Sequence, residues 1–557
     1  MTQSVFGNHD NRILLMLLPF WTPLIPPLGI ACLKSFLQKH GYEVTTADAN
    51  QQADIWKRYY LYNNALMKCV PEKMRGNFLN TGHNVLRHHC MAFMNKKERD
   101  DHLELIKIVV ERHYFCDISD EQAAGLDEIV AGFFQSVEEY TLALIEKNSP
   151  SIVGLSVYSG NLAASLFAFE TVKKFDPTIA TVMGGGIFAD QLAIGTPDFQ
   201  SFLDRTPYID TVIVGEGESL FLKYLQGKLP PGRKVYSLED NADEYLSLAA
   251  AVSPDFSDFN VPGYPQMATY VSRSCPFQCT FCSETVQWGK FRKKDAGQVA
   301  DELVRLYEQY KSQIFMFGDS LLNPFVDDFS EEMIRRDLSF YWDGYLRADR
   351  HVCNLNNTLK WRRGGFYRAR LGVESGSQRV LDLMDKRITT AQIRSSLSNL
   401  AGAGIKTSTY WVIGFPGETE EDFRQTLELI EEMKDDIWEA ECNPFWYYPS
   451  AQVGSDRWFN ENGVSLLFPE RFADRFMVRT WVVNADPVRE VTYDRVRRFM
   501  EHCAKLGVPN PYTLHQIYLA DQRWQRLHEN AVPMISQFNT KALLTENKKV
   551  RYSAGAA

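Results

Sequence analysis

Three of the ten cysteines in this 557-residue chain fall within one short stretch, at Cys275, Cys279 and Cys282. The spacing is C-x3-C-x2-C, and a β-rich run, Met267 to Val271, precedes it, so we expect the cysteines on a loop just past a strand end. Three thiolates on one loop can hold three corners of a [4Fe–4S] cube. No fourth cysteine is nearby, which leaves one iron open, as a catalytic metal centre requires.

Two other interpretations of these cysteines are a structural zinc site and three unrelated core residues. Zinc usually takes two pairs of closely spaced ligands. No second Cys or His pair follows Cys282 at such a spacing. The cluster is therefore the favoured interpretation.

The bulk composition is that of an ordinary globular protein and excludes one class of partner. The net charge of −10 argues against a general nucleic-acid-binding protein, which would show a basic patch or stripe. Irregularly spaced cysteines favour a reducing compartment, and we expect a cytoplasmic protein. The apolar run Ile13 to Leu33 is long enough to span a membrane, but four prolines interrupt it, so no membrane span is expected.

Strands and helices alternate in the first part of the chain. A predicted βαβ unit covers residues 13–48, and three further strands follow a gap. Each of these three strands ends near small or glycine residues, at residues 158–161, 184–186 and 215–217. In open α/β sheets, ligands bind beyond the carboxyl ends of the strands, and glycine lets the backbone approach them closely.

Residues 50–148 break this alternation. They are polar with a helical tendency, and we predict a helical insertion or cap. His83, His88, His89 and Cys90 lie within it, but their spacing matches no ligand template, so a solvated helix or loop is the favoured interpretation.

The alternation resumes after a Pro-, Asp- and Ser-rich segment, residues 231–264, which we interpret as a linker. About six βα repeats follow within 265–460, which predicts a partial TIM-like barrel with its chemistry at the C-terminal strand ends. Residues 461–557 lack the alternation and predict a helical C-terminal domain. Trp446, Tyr447 and Tyr448 stand at the last predicted strand end, where they either line a pocket or pack against that domain.

The cysteine spacing, with Phe281 before the last cysteine, resembles the signature of radical S-adenosylmethionine (SAM) enzymes. The segments PPLGIACLKSFLQKHGYEV, GLSVYSGN, VMGGG and VGEGE resemble, in this order, the cobalamin-binding domain that precedes the radical SAM domain in one large subgroup. The resemblance covers roughly residues 10–50 and 150–450. It implies an α/β chain with a Rossmann-like cobalamin-binding domain (1–230), a linker (231–264), a partial (β/α)6 radical SAM barrel (265–460) and a helical C-terminal domain (461–557).

The resemblance implies that three groups of residues line the cobalamin. They are Tyr158, Ser159, Gly160 and Asn161; Gly184, Gly185 and Gly186; and Gly215, Glu216 and Gly217. Residues 1–230 lack the D-x-H-x-x-G motif whose histidine ligates cobalt in some cobalamin proteins. We therefore expect a lower cobalt face without a histidine ligand.

The resemblance also implies a SAM site at the barrel strand ends. Glu374 and Ser375 lie in GVESGS, which resembles the ribose-contacting segment, and a carboxylate there can accept hydrogen bonds from ribose hydroxyls. Asp319, in FGDS, stands where many radical SAM enzymes carry a glycine-glycine-glutamate segment that holds the SAM amino group.

Three more residues complete the expected SAM site. Arg347 ends another predicted strand and can pair with the SAM carboxylate. Gly414 opens GFPGET, which resembles the loop beside the adenine, and Phe281 is expected to pack against the adenine edge.

The activity implied by the resemblance is methylation of an unactivated carbon, by way of a 5′-deoxyadenosyl radical and methylcobalamin. A ring closure, rearrangement or oxidation without methyl transfer uses the same cofactors and stays open, as does a non-catalytic cobalamin-binding sensor. The expected partners are a small-molecule or peptide substrate and an electron donor such as flavodoxin or ferredoxin.

Overall fold

The structure is a computed structural model that describes residues 12–21, 24–242, 244–451, 455–532 and 534. Two parallel sheets organise these residues, and a smaller, mainly helical part follows them. No helix in the described ranges combines the length and the apolar character needed to cross a membrane.

The N-terminal part is an open α/β sheet with helices inserted after its second strand. Its elements are β1 Arg12–Leu17, α1 Leu28–Lys39, β2 Glu43–Asp48, α2 Ala53–Cys69, α3 Phe78–Met94, α4 Arg99–Tyr114, α5 Asp120–Asn148, β3 Ile152–Ser156, α6 Leu162–Phe175, β4 Ala180–Gly184, α7 Ile187–Asp190, α8 Pro197–Arg205, β5 Thr211–Ile213, α9 Gly217–Leu225 and β6 Val235–Tyr236.

Within the described residues, this sheet has six strands in the order β2-β1-β3-β4-β5-β6, and the pairings are parallel. The strands β1 and β3 are nearly continuous apolar runs because helices cover both faces of the sheet. The chain runs from β1 to β2 on one side and continues at β3 on the other. This change of direction is a topological switch point, where open α/β sheets bind ligands.

The segment 50–148 is helical, as expected, but the helix face that carries His88 and His89 is buried. The helices α2 to α5 pack on one another and share a core with one face of the sheet. His88 and His89 are 5% and 0% exposed. The expectation of a solvated helix was therefore wrong, because the face that carries these residues packs against neighbouring helices and the C-terminal part.

The second sheet forms the barrel. Its elements are β7 Met267–Thr269, β8 Ser272–Arg273, α10 Glu284–Trp288, β9 Arg292–Lys293, α11 Ala296–Tyr310, β10 Ile314–Phe317, α12 Val326–Arg335, β11 Tyr341–Arg347, α13 Leu355–Arg363, β12 Phe366–Glu374, α14 Gln378–Leu383, α15 Thr390–Gly402, β13 Lys406–Ile413, α16 Glu420–Met433 and β14 Glu439–Pro444.

Counted over the described ranges, six of these strands form one parallel sheet in the order β14-β13-β12-β11-β10-β7. Each strand pairs with the next one along the chain, as in a TIM barrel, but the sheet stops at six strands. The expected α/β fold, with a Rossmann-like domain, a partial barrel and a C-terminal helical part, is confirmed. The strands β8 and β9 form a separate antiparallel hairpin that leads into and out of the cysteine loop.

The C-terminal part packs across the barrel mouth. Its elements are α17 Asp456–Asn462, β15 Val464–Leu466, β16 Trp481–Val483, α18 Arg489–Leu506 and α19 Leu514–Leu527. The antiparallel pair β15–β16 was not expected from the sequence. Phe499 and Cys503 of α18 join the barrel core, which fixes this part against strands β13 and β14.

Candidate active site

The three cysteines lie on the loop between β8 and α10, at the mouth of the barrel. Cys279 is buried and Cys275 and Cys282 are half-buried. The loop is held by its own backbone, because Cys282 N–H donates to Cys279 O at 3.2 Å and Thr280 N–H donates to Met384 O at 3.0 Å. The loop is thus positioned on the turn after α14 without any help from the thiols.

Two cations, Arg347 and Lys386, lie near the thiol of Cys275. Burial raises the pKa of the Cys275 thiol, and the Arg347 and Lys386 cations oppose that rise. Burial also raises the pKa of Cys282 to about 12. Cations beside a cysteine favour its thiolate, the form that binds a metal, so the donor set and its surroundings fit an iron–sulfur cluster.

The geometry argues against a single zinc ion. In the described residues, the group of ligand atoms lying within 4.8 Å of one another is His89, His102 and Asp127, and the three cysteines do not form such a group. A tetrahedral Zn²⁺ with bonds of about 2.3 Å to sulfur requires the sulfurs to converge. In a cube, each thiolate binds its own iron, so wider separation is expected.

Arg347 ends β11 beside this loop. It is 5% exposed, its Nη1 donates to Cys279 Sγ at 3.7 Å, and its guanidinium stacks over the Phe277 ring at 4.1 Å. Its Nη2 is buried and has no hydrogen-bond partner among the residues described. A buried donor without a partner is costly, so this atom fits a ligand carboxylate such as that of SAM. Its contact with SAM remains a prediction.

Glu374 ends β12 at a register shift in its pairing with β13, with a φ of 66°. Its Oε1 accepts a hydrogen bond from Lys386 Nζ, and both side chains are about nine-tenths buried. Lys386 was not singled out from the sequence, since a lysine twelve positions later carries no signal of this contact. The predicted contact between Glu374 and a ribose is untested, and the ion pair gives the carboxylate a partner inside the protein.

Asp319 follows β10 and is 2% exposed. Its carboxylate accepts from Val271 N–H at 3.1 Å and from the hydroxyl of Ser272 at 2.6 Å. Burial raises the pKa of Asp319 to about 6, while the hydrogen bonds from Ser272 and Val271 oppose the rise. The residue ties β10 to the strand end that leads into the cysteine loop, and its proposed contact with the SAM amino group remains a prediction.

Ser375, Gly414 and Phe281 lie around the same mouth. Ser375 is fully buried, accepts from Ser377 N–H at 3.1 Å and lies against the Thr426 hydroxyl. Gly414 has a φ of 79°, and a Cβ there would overlap the Thr492 side chain. Phe281 packs in a small apolar cluster with Val380, Met384 and Phe415. Their contacts with SAM stay predictions.

The strand ends of the N-terminal sheet meet at the β1–β3 switch point. Asn161 is 1% exposed, accepts from Tyr158 N–H at 2.7 Å and donates to Leu18 O at 3.3 Å. The backbone of Gly160 accepts from Phe20 N–H at 3.3 Å. Trp21 also stacks on Tyr158 at 4.6 Å. Together these contacts join the loop after β1 and the loop after β3 into one edge. Ser159 is half-buried in this edge.

The glycines after β4 have roles within the protein. A Cβ on Gly185, whose φ is 116°, would overlap the backbone of Val157. A Cβ on Gly186 would lie 3.0 Å from the Tyr158 ring and 3.3 Å from Gln287 Oε1, and one on Gly184 would lie 3.5 Å from Ile213 O. At least part of the need for glycine here is close packing between loops.

The turn after β5 differs from the turn after β4, because space remains open beside it. Gly215 has a φ of 92° and a Cβ there would meet nothing within 4 Å, so open space lies beside this turn. Glu216 points instead to the β8–β9 hairpin: its carboxylate pairs with Arg273 at 3.1 Å and with Arg292. Gly217 begins α9, where a Cβ would make an ordinary contact with Leu33 at 3.6 Å. The open turn fits a ligand, whereas Glu216 joins the two sheets.

The cysteine loop and the N-terminal sheet edge face each other. Ser283 hydroxyl, next to Cys282, donates to Asp190 Oδ1 at 2.8 Å, and Gln287 of α10 approaches Gly186. The hydroxyl of Ser450, after β14, donates to Asp190 O at 3.1 Å. The C-terminal strand ends of both sheets therefore open toward one shared space.

Two cavities border this space. Trp446 and Tyr447 line both cavities and Tyr448 lines one of them, as one alternative predicted. Tyr447 also packs against the C-terminal part, which was the other alternative, because it stacks on Trp458 at 5.6 Å. A half-buried arginine, Arg87 of α3, also lines one cavity. Sequence reasoning missed it, because a charged helical residue normally indicates a solvated face.

The histidines of the insertion form a separate buried network. His89 Nε2 and His102 Nε2 lie 3.2 and 2.7 Å from Asp127 Oδ1, and His89 Nδ1 lies 2.9 Å from the Tyr62 hydroxyl. Although burial alone raises the pKa of Asp127, hydrogen bonds from the two imidazoles hold it below its usual value. These hydrogen bonds account for the cluster without a metal ion.

Comparison with known proteins agrees with this geometry. Residues 269–430 match the radical SAM superfamily. The chain is 26% identical over 315 residues to the anaerobic magnesium-protoporphyrin IX monomethyl ester cyclase of Rubrivivax gelatinosus, which covers 52% of this chain and 55% of that protein. It is also 26% identical over 333 residues to an uncharacterized methyltransferase, PH0819, of Pyrococcus horikoshii, covering 56% of this chain and 70% of that protein. The chain thus spans about half the length of the cyclase.

The fold as a whole is similar to that of a solved enzyme. The radical SAM methyltransferase TsrM from Kitasatospora setae superposes with a TM-score of 0.61 at 12% identity, over 97% of this chain and 100% of that one. TsrM has also been solved with cobalamin and a [4Fe–4S] cluster bound. The cysteine loop lies inside residues 269–430, the segment that matches the radical SAM superfamily.

Proposed function

We propose that this chain is a cobalamin-dependent radical SAM enzyme that methylates an unactivated carbon. The observation that carries the proposal is the opposition of the cysteine loop and the switch-point edge of the N-terminal sheet. Ser283 and Gln287, which follow the last cysteine, reach Asp190 and Gly186 on that edge. A cluster on one side and a cobalamin on the other would share one substrate space.

When bound, the [4Fe–4S] cluster, SAM and cobalamin supply the one-electron cleavage of SAM, the removal of a substrate hydrogen and the methyl group. The protein supplies placement. Cys275, Cys279 and Cys282 would hold the cluster, and the unpartnered Nη2 of Arg347 would hold the SAM carboxylate beside it. The open turn at Gly215 and the edge around Tyr158 would border the cobalamin.

Exclusion of water is the second task of the chain. The C-terminal part covers the barrel mouth with β16 and α18, whose residues Trp481, Thr492 and Tyr493 close one cavity against Trp446. A reactive radical needs such shielding because water and stray hydrogen donors would otherwise quench it.

The relatives support methyl transfer without deciding it. PH0819 carries the name of a methyltransferase, and TsrM is a methyltransferase that shares the whole fold. The cyclase from Rubrivivax gelatinosus is a relative at the same 26% identity, and this favours a second candidate: ring closure or oxidation without methyl transfer. A non-catalytic cobalamin sensor has less support, because a sensor has no need of three cysteines grouped on one loop.

Methyl-labelled SAM separates the two catalytic candidates without knowledge of the substrate. We expect anaerobically reconstituted protein, incubated with SAM labelled on its methyl group and a low-potential reductant such as reduced flavodoxin, to carry the label onto its bound cobalamin. Cleavage of SAM to 5′-deoxyadenosine without labelled cobalamin would favour the cyclase-like candidate. If SAM is not cleaved at all, the enzyme proposal is wrong.

A further inference from the structure

Arg87 lies on α3, where the insertion faces the mouth of the barrel. It is half-buried, and it makes no hydrogen bond or ion pair with any residue that the structure describes. Burial lowers the pKa of its guanidinium, and the nearby Tyr448 and Asp190 oppose that effect. A guanidinium with five donors normally finds an acceptor when water is partly excluded, so this one is available to a ligand.

Among the described residues, none of the groups near Arg87 forms an ion pair with it. Asp190 lies within electrostatic reach, but it accepts the Ser283 hydroxyl at 2.8 Å and makes no ion pair with Arg87 in the described residues. The other neighbours are Tyr448 and Tyr493, together with three imidazoles.

The three imidazoles carry no charge at neutral pH. Burial lowers the pKa of His83 to about 4 and of His113 to about 3, and it lowers the pKa of His88 as well. The second arginine of this cavity, Arg479, is already paired with Asp198 at 3.0 Å. One guanidinium charge is therefore left for a ligand.

The space in front of Arg87 has several aromatic walls. A cavity of about 60 Å³ is lined by Arg87 and by aromatic and amide side chains. A second cavity of about 40 Å³ shares its walls Trp446, Tyr447 and Trp481. The amides of Asn84 and Gln191 also face the first cavity, so polar and apolar walls stand side by side.

This space adjoins the cysteine loop. Tyr448, which lines the same cavity as Arg87, is close enough to Cys282 for the two groups to affect one another electrostatically. Asp190, next to the cavity residue Gln191, holds Ser283 of that loop. A molecule held by Arg87 would therefore lie beside the site where the proposed reaction begins.

We propose that Arg87 binds the carboxylate of the substrate and that Trp446, Tyr447 and Trp481 hold a planar, apolar group next to it. The substrate class is thus an aromatic or otherwise flat carboxylic acid. This deepens the proposed function, because it rests on a reaction at this mouth. A single unpaired guanidinium matches the one negative charge of a carboxylate better than the higher charge of a phosphate monoester.

Benzoate and benzamide are a matched pair of probes, since they differ chiefly in charge. Ligand-observed NMR titration of the full-length protein is expected to show benzoate binding at least about tenfold more tightly than benzamide, as charge-assisted hydrogen bonds predict. Phenyl phosphate, titrated in parallel, is expected to bind no better than benzoate. Absence of benzoate binding, or equal binding of benzoate and benzamide, overturns the proposal, and clearly tighter binding of phenyl phosphate replaces the carboxylate by a phosphate.

The variant Arg87→Gln is expected to abolish the preference for benzoate, and Arg87→Lys to retain part of it. Arg498→Gln is the charge-matched control, because Arg498 lies on the outer face of α18 and pairs with Glu420. An unchanged preference in Arg87→Gln contradicts the proposal. The wild-type comparison of the two probes needs no variant, so it tests the proposal even if Arg87→Gln folds poorly.

Iron content and SAM cleavage, measured on the same preparations, separate this inference from the proposed function. Cleavage of SAM without any preference for benzoate refutes the carboxylate site alone. A preference for benzoate in protein that binds no cluster refutes the radical SAM function alone.

Discussion

The barrel mouth and the edge of the N-terminal sheet both carry residues that the sequence marked as ligand-binding, yet the two places differ in the groups that they leave free for a ligand. At the barrel mouth, Arg347 keeps a buried donor without a partner, beside a loop of three cysteines. At the sheet edge, Asn161, Gly185 and Glu216 are engaged by the protein itself. Cysteines and unpaired charges are thus more specific signs of a site than glycines, which close packing also requires.

The largest effect is expected at the cysteine loop. Cys279→Ser should lower the iron content from about four per chain to nearly none, because a serine hydroxyl replaces one of three thiolate ligands. Iron analysis after anaerobic reconstitution measures this. Cys353→Ser is the control, since Cys353 is half-buried outside the loop and donates to Gln392 O. Equal iron in Cys279→Ser and wild type would remove the loop from the cluster site.

Arg347→Gln should weaken SAM binding roughly tenfold to a hundredfold and leave the iron content near that of the wild type. The reason is the loss of a charge-assisted hydrogen bond of about 1.5–3 kcal/mol to the SAM carboxylate. Equilibrium binding of SAM to reconstituted protein is the measurement. Arg387→Gln serves as the control, because Arg387 is 68% exposed and pairs with Asp385. Unchanged affinity in Arg347→Gln would exclude Arg347 from the site.

Variants of Glu374 test whether a carboxylate that is paired with Lys386 also binds SAM. If Glu374 accepts hydrogen bonds from the ribose, Glu374→Ala should weaken SAM binding by roughly tenfold to a hundredfold. It should also destabilise the fold, since Lys386 is left buried without its partner. The double variant Glu374→Ala/Lys386→Ala removes that second effect. If the double variant regains wild-type SAM affinity, Glu374 positions Lys386 and does not contact SAM.

The smallest effect is expected at the edge of the N-terminal sheet. Gly185→Ala should lower the stability of the protein by about 1–3 kcal/mol without any cofactor present, because of its positive φ and the close Val157 backbone. Gly217→Ala, where the nearest atom would lie at 3.6 Å, should change stability much less. Thermal unfolding of the apo-proteins distinguishes them. Equal stability would mean that Gly185 is not needed for packing.

The sequence predicts those parts of the fold that depend on local periodicity. The helix α6, Leu162–Phe175, and the helix α16, Glu420–Met433, lie in the two regions where the sequence predicts alternating strands and helices, and α16 begins at a capping box on Thr419. The strand β6, Val235–Tyr236, lies in a segment expected as a linker. The strands β15 and β16 were also missed, since three residues cannot show a period.

The candidate site likewise contains features that depend on local sequence and features that depend on contacts between distant elements. The cysteine loop can be predicted because its chemistry depends on spacing along the chain. The Lys386 partner of Glu374 and the unpaired Arg87 depend on contacts between distant elements, which no local pattern records. The burial of His88 and His89 has the same cause, because neighbouring helices and the C-terminal part cover their helix.

Electron paramagnetic resonance of the full chain loaded with cob(II)alamin tests the central claim most directly, that the edge facing the cysteine loop binds cobalamin. We predict about one retained cobalamin per chain, with no nitrogen superhyperfine splitting, because residues 1–230 lack the D-x-H-x-x-G motif. Nitrogen splitting would contradict the expected lower face and point to His83, whose Nε2 would lie 3.2 Å from a Cβ on Gly160. Protein that retains no cobalamin while it holds its iron would contradict the claim itself.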